Sequence, residues 1–513
     1  MITAYNFPFR NEGVFVESSS EQTKEAENAD QKKLLPSERL AKNQNIILAI
    51  IVVGTLMGAV DSTIVLLAFP TITAKLHSNF ITSLWIILAY LLILGITTTQ
   101  FGRIGDLYGR SKMFNLGFLI FTAGSVLCGF SGAIGYLIGF RVMQAIGGSL
   151  MQSNSSAIIS DVFPREKRGG AFGFNALGFT VGAILGILLG GVITTFLSWQ
   201  YIFFINAPIG IVAVLLGSKY LQDTYRARAK VDAVGMIILG GALALVSYGA
   251  TEYAATGLAT SNIVEMAVGF GLIPVFLIYD HSRESPMIDF ASFKNKVLKN
   301  SMAALFFTSL GYLAVIFLVI MYLQGIRGLS PLNASLLLVP GYVAGSFLSP
   351  IMGRLSDKYG TRNLMTLGAG LLIIATLIFS TMKVDSPLYI VIAASAVSGA
   401  GASMFFPACF NAVMSNARPG AYGSVSGLLR TLQNVGLLGS FVLAISVASA
   451  TIPRDVAFEI FIGTTNLSGG ISKQFLTGID SAFISSILLL IIAAVLSFRS
   501  GKEEWRQENT SGA

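Results

Sequence analysis

Asp61 is the single charged residue in the stretch 45–69. A carboxylate at the centre of an apolar helix that has left water costs roughly 2.5–3.5 kcal/mol by insertion scales, and it is retained mainly where it works. The chemistry open to it is proton exchange. Ionised, it needs a counter-charge; protonated, it does not. Arg141, with Gln144 three residues on, is a second charge inside an apolar run, 133–155, and Arg430, with Gln433 and Asn434 one turn later, is a third. A guanidinium keeps its charge and offers five N–H donors, so Arg141 qualifies as the partner of Asp61. The plainer alternatives are a permanently paired structural carboxylate and a packing arginine bonded to carbonyls. For Arg430, a cavity-facing cluster and a buried packing network suit the residues equally.

The elements that must hold these charges follow from composition. The chain has 513 residues, 53% hydrophobic and 12% charged, with mean hydropathy +0.71. Soluble domains carry roughly 25% charged residues, so a soluble enzyme, a disordered chain and a DNA-binding domain are excluded. The net charge of +8 does not point to nucleic acid, because a basic excess in a membrane protein gathers in loops on one side. Cys128 and Cys409 lie inside apolar runs, and His77 and His281 lie at the edges of such runs. No disulfide framework, metal or cofactor is expected from them. Neither a phosphate-binding G-x-x-x-x-G-K-[ST] nor a zinc-binding H-E-x-x-H is present, so ATP drive and metalloenzyme chemistry have no support; the chain is not expected to be an enzyme.

Spanning a bilayer takes about 20 apolar residues. Fourteen stretches qualify, near 45–69, 82–101, 113–131, 133–155, 171–196, 201–220, 233–254, 262–280, 300–323, 333–353, 364–382, 387–414, 424–449 and 480–497. An even number puts both termini on one side. With the N-terminus inside, twenty-one Lys and Arg fall in inner loops and the C-terminal tail against five in outer loops, so both tails are predicted to be cytoplasmic. Counted from inside at 1.5 Å per residue, Asp61 lies about 24 Å up, and Arg141 lies about 12 Å below the outer edge. Both fall in the outer half, which permits pairing. The segment Gly102-Arg-Ile-Gly-Asp106-Leu-Tyr-Gly109-Arg110 recurs 251 residues later as Gly353-Arg-Leu-Ser-Asp357-Lys-Tyr-Gly360. A repeat of this kind builds two halves around a central site. The second copy follows the tenth span rather than the eighth, so spans 7 and 8 are inserted between two six-helix halves.

At these residues the chain resembles the major facilitator superfamily. Gly102 to Lys112 resembles its G-x-L-x-D-x-x-G-R-[KR] loop between helices 2 and 3, and Arg141-Val-Met-Gln144-Ala-Ile-Gly147 its helix 4 motif R-x-x-Q-G-x-G. Ala59-Val-Asp61-Ser-Thr-Ile-Val65 with Ala68-Phe-Pro70, and Ser198-Trp199 to Gly210, are similar to motifs of the fourteen-helix drug–proton antiporters. Helix 5 reads Gly178, Gly182, Gly186, Gly190-Gly191, with Ile187 where the antiporter motif has proline. The resemblance covers roughly 45–497.

It implies an all-α membrane protein of the major facilitator fold, with 14 transmembrane helices. The expected divisions are a disordered cytoplasmic tail, 1–43; a first six-helix half, 44–220; two extra helices with their linkers, 221–299; a second half, 300–497; and a second cytoplasmic tail, 498–513. Asp61 and Arg141 are the expected proton-coupling and substrate residues, and Gly102, Asp106, Gly109, Arg110, Gly353, Asp357 and Gly360 the conformational latch in cytoplasmic loops. The helix 5 glycines, four apart, would let another helix approach closely. Trp85, Tyr90, Gln144, Tyr312, Gln324, Asn411, Arg430 and Asn434 lie on helices that line the cavity in this superfamily. Aromatics near a carboxylate would suit lipophilic cations. The expected function is secondary transport, most simply proton-coupled efflux of lipophilic or cationic drugs by alternating access. A transporter of one metabolite is the alternative. The partners are then a small molecule, protons and the bilayer, with no nucleic acid, and the protein is a monomer in the cell membrane.

Overall fold

The structure is a computed structural model, and it describes residues 43–501 apart from 164, 224–230, 258, 284–285, 287, 289–291, 418–421 and 451–470. Almost all of the tail 1–43 and most of 498–513 lie outside the described residues. Among the described residues fourteen helices are long and apolar enough to cross a membrane, as expected where no water is at hand to satisfy backbone groups. They are α1 (Gln44–Lys75), α2 (Phe80–Tyr108), α3 (Arg110–Gly129), α4 (Ile134–Val162), α5 (Arg165–Phe196), α6 (Tyr201–Tyr220), α7 (Ala233–Thr256), α8 (Thr260–His281), α9 (Lys296–Ile326), α10 (Pro331–Tyr359), α11 (Thr361–Ser380), α12 (Tyr389–Ser415), α13 (Tyr422–Ala450) and α14 (Ile471–Arg499). Several run past the apolar stretch that marks them. Hydrogen-bonded turns continue into the charged flanks, where long Lys and Arg side chains reach water.

Side chains cap several starts. Asn79 accepts from the Thr82 amide at 2.7 Å at the start of α2, and Asp232 from the Gly235 amide at 2.9 Å at the start of α7. These contacts satisfy donors that a first turn leaves unpaired. Two of the described spans are interrupted: α6 at Ile205, and α9, which breaks after Tyr312 and ends in a π-turn, Tyr322–Ile326. Such backbone is tolerated where protein buries it, and here the Ala314 amide donates to Ser440 Oγ at 2.9 Å.

Packing repeats. In the first half α1 lies on α5, α2 and α3 lie on α4, and α3 lies on α6; in the second, α9 lies on α13, α10 and α11 on α12, and α11 on α14. The helices α7 and α8 pack on each other, and α7 also packs against α2 and α13. The halves meet along α5–α10 and α2–α13. At the end carrying Gly109 and Gly360, called here the loop end, Thr99 bonds Thr431 at 2.6 Å and Asn434 donates to Gln152 at 3.1 Å. Towards the opposite end, Gln324 donates to the Leu67 carbonyl at 3.3 Å and Phe69 meets Phe317 edge-on.

The helix 5 glycines form a contact rather than a spacer. A Cβ on Gly182 would stand 2.6 Å from the Leu56 carbonyl oxygen, one on Gly178 2.7 Å from Val52, and one on Gly186 2.6 Å from the Val60 carbonyl. Gly190 faces Ile64, while Gly191 faces Leu332 and Ser335 of α10, across the halves. Ile187 is buried in an unbroken helix. Backbone-close packing on α1 fixes the height and rotation of Asp61.

Candidate functional site

The site is assembled from α1, α2, α3, α4 and α6. Small residues bring α3 and α4 together, since a Cβ on Gly124 would meet the Gln144 backbone and one on Gly147 would meet that of Phe121. Gln144 thereby reaches Ser125 Oγ, donating at 2.6 Å, and Asp61 Oδ1, donating at 2.7 Å. Arg141 sits one turn towards the opposite end. Its Nη1 donates to Asp61 Oδ2 at 2.5 Å and to Gln144 Oε1 at 2.6 Å, and its Nε to the Ile86 carbonyl at 3.2 Å. The guanidinium carbon lies 4.1 Å from the Tyr90 ring centroid and 5.9 Å from that of Phe203. Asn206 of α6 completes the group at 3.5 Å from Asp61 Oδ1 and 3.4 Å from Ser125 Oγ. Asp61 and Gln144 are 0% exposed and Arg141 2%. Removing either charge from a pair this enclosed strands the other, which is the expensive outcome.

Asp61, Arg141, Gln144 and Tyr90 are therefore brought together. The ring expected to greet a cationic ligand, that of Tyr90, stacks on the protein's own cation. Ser125 and Asn206 were not singled out from the sequence. Asn206 could have been, as an amide in the charge-free run that follows Trp199; a serine in an apolar helix such as Ser125 carries no such signal.

The remaining cavity candidates lie elsewhere. Trp85 leans on Tyr248 of α7 with ring centroids 6.3 Å apart, and Gln324 holds the Leu67 carbonyl. Tyr312 bonds Ser398, and Asn411 donates to Ser356 at 3.0 Å near the loop end. Arg430 donates to Gln433 Oε1 at 3.2 Å over the Phe410 ring, at 5.0 Å, while Asn434 reaches Gln152.

The latch residues correct one expectation. Gly102 and Asp106 belong to the final turns of α2, and Gly353 and Asp357 to those of α10; they do not lie in loops. The connections are the single residues Gly109 and Gly360, at φ +112° and +91°. Only glycine adopts such a backbone without strain, so two long helices turn at one residue. Arg110, at the start of α3, holds Asp106 at 2.7 Å and Asp161 of α4 at 2.8 and 2.9 Å. The Asp223 carboxylate accepts from the Ser111 amide at 2.7 Å, where a helix N-terminus favours an anion. The second copy has Thr361 in the place of Arg110, and the side chain of Asp357 lies outside the described residues.

Fourteen candidate spans whose packing repeats, with a buried ion pair among the first six, define a polytopic membrane protein. The chain belongs to the Major Facilitator Superfamily, whose family model matches residues 51–440. It is 30% identical over 426 residues to the riboflavin transporter RibZ of Clostridioides difficile, covering 82% of this chain and 90% of that protein. It is 28% identical over 493 residues to the tetracenomycin C resistance and export protein of Streptomyces glaucescens, covering 88% and 91%. In fold it is similar to a bacterial homologue of the human lysosomal transporter Spinster in an inward-facing, unoccupied conformation. The TM-score there is 0.60, with 17% identity over 88% of this chain and 96% of that one.

Proposed function

We propose that the chain is a proton-coupled exporter of lipophilic small molecules. It works by alternating access in the cell membrane as a monomer, with both termini cytoplasmic. The observation that carries this reading is the enclosed Asp61, whose two oxygens accept from Arg141, Gln144 and Asn206. A proton on Asp61 removes the charge that holds Arg141, and the guanidinium and the two amides then need new partners. Protonation is in this way tied to a rearrangement of α1, α4 and α6. The halves 44–220 and 300–497 rock about the α5–α10 and α2–α13 seams, residues 221–299 ride on the α2–α13 seam through α7, and the Asp106–Arg110–Asp161 bridge ties α2, α3 and α4 of the first half together at the loop end. The excess of basic residues in alternate loops supports the orientation.

The test is reconstitution in liposomes containing a pH-sensitive dye. Proton movement on adding a lipophilic substrate is expected, with loss of that movement in Asp61→Asn. Transport by Asp61→Asn with unchanged proton dependence, or silence across a broad substrate panel, defeats the reading. A second reading, transport of a single metabolite, is favoured by the likeness to a riboflavin transporter. A response confined to one compound of the panel would establish it.

A further inference from the structure

Arg430 differs from Arg141 in what surrounds it. Arg141 has a carboxylate, an amide oxygen, a carbonyl and an aromatic face. Arg430 is half-buried within the α13 span and has one amide oxygen, that of Gln433, and the face of Phe410. Among the described residues no carboxylate pairs with it. A guanidinium has five donors, and a cation in an apolar span without a counter-charge is costly enough to mark a ligand path.

Its direction follows from its helix. At about 100° per residue, Asn434 and Gly427 share the face of Arg430, and they meet Gln152 of α4 and Thr99 of α2. Ser446, which donates to the Ala250 carbonyl of α7, lies about 160° away round the helix. Gly436, packed on Ser309 of α9, lies about 120° away on the other side. Arg430 therefore points between α4 and α12, into the middle of the bundle and away from lipid. It stands about 12 Å along α13 from the loop end, whereas Asp61 stands about 26 Å along α1 from the same end. Asp61, the buried carboxylate of α1, is already engaged by Arg141, which leaves Arg430 as a cation without a carboxylate partner among the described residues.

We infer that Arg430 is an anion-recognising subsite, and that the transported molecules are organic acids, whose carboxylate or sulfonate receives the free guanidinium donors. This rests on the reading of the chain as a small-molecule transporter, and it narrows the substrate class away from cations. One hydrogen bond to a charged group changes affinity about tenfold or more.

The test is equilibrium binding to the purified full-length protein in detergent. Matched sets are used in which one aromatic scaffold (naphthalene, acridine or xanthene) carries a carboxylate, the neutral carboxamide or an alkylammonium. The acid is expected to bind about tenfold tighter than its amide in at least one set. Arg430→Gln should erase that preference, and Arg430→Lys should keep part of it. If no acid binds tighter than its neutral and cationic counterparts in any set, or if Arg430→Gln keeps the preference, the inference falls. The preference in the unmodified protein decides the question even if Arg430→Gln does not fold. No proton gradient is present, so an acid preference without proton-coupled flux leaves this inference standing while the coupling proposal fails. Proton-coupled flux without an acid preference does the reverse.

Discussion

Arg141 and Arg430 are the same residue type at membrane depth, and the two halves treat them in opposite ways. In the first half Arg141 is paired with the Asp61 carboxylate and bonded to the Gln144 amide oxygen and the Ile86 carbonyl, and Asp61 in turn accepts from Gln144 and Asn206. In the second, Arg430, on the fifth helix of its half rather than the fourth, meets one amide and one ring. The asymmetry extends to the loop end, where Arg110 bridges two carboxylates in one half and Thr361 takes its place in the other. A repeated fold thus supplies the same helix contacts twice but places a closed charge site in one copy and an open one in the other.

Four substitutions break or sharpen that contrast, each read by chemical unfolding in a mild detergent. Arg141→Gln strands Asp61 and should cost about 3–5 kcal/mol, with Asp61→Asn in the same chain restoring much of the loss. An unaltered unfolding curve would mean that the first-half site is not closed. Gly186→Ala puts a methyl against Thr63 and the Val60 carbonyl, and should cost about 1–3 kcal/mol through overpacking. It should also weaken the coupling of protons to transport, since α5 sets the position of Asp61. Ser125→Ala removes an acceptor shared by Gln144 and Asn206 and should cost about 1 kcal/mol. Arg430→Gln removes a cation that has no counter-charge among the described residues, so it should not lower stability and should raise it by about 1 kcal/mol. A loss comparable to that of Arg141→Gln would make Arg430 a structural residue.

Much of this was legible before folding. The apolar stretches mark the fourteen helices because the bilayer leaves the backbone no alternative to internal hydrogen bonding. The position of Asp61 and Arg141 at compatible depths follows from counting residues along two antiparallel helices. The four-residue glycine spacing marks the helix 5 contact, though not that Val52, Leu56 and Val60 would receive it. Helix ends were less legible: apolarity stops at the bilayer edge while the helix continues, which moved Asp106 from a loop into α2. For Trp85, Tyr312, Gln324 and Asn411 the sequence names the helix and not the face. A helix that lines a cavity presents only one face to it, and composition does not record which.

What the sequence alone determined is the inventory of scarce charges, the number of helices and the repeat, because each depends on local composition or on spacing along the chain. Which charges are matched was decided only by the tertiary structure. Ser125, Asn206 and the Ile86 carbonyl approach Asp61 and Arg141 from three other helices, and no local pattern encodes an encounter between side chains 19 to 145 residues apart. Enclosure is likewise a property of the assembled bundle, and enclosure separates the paired arginine from the open one.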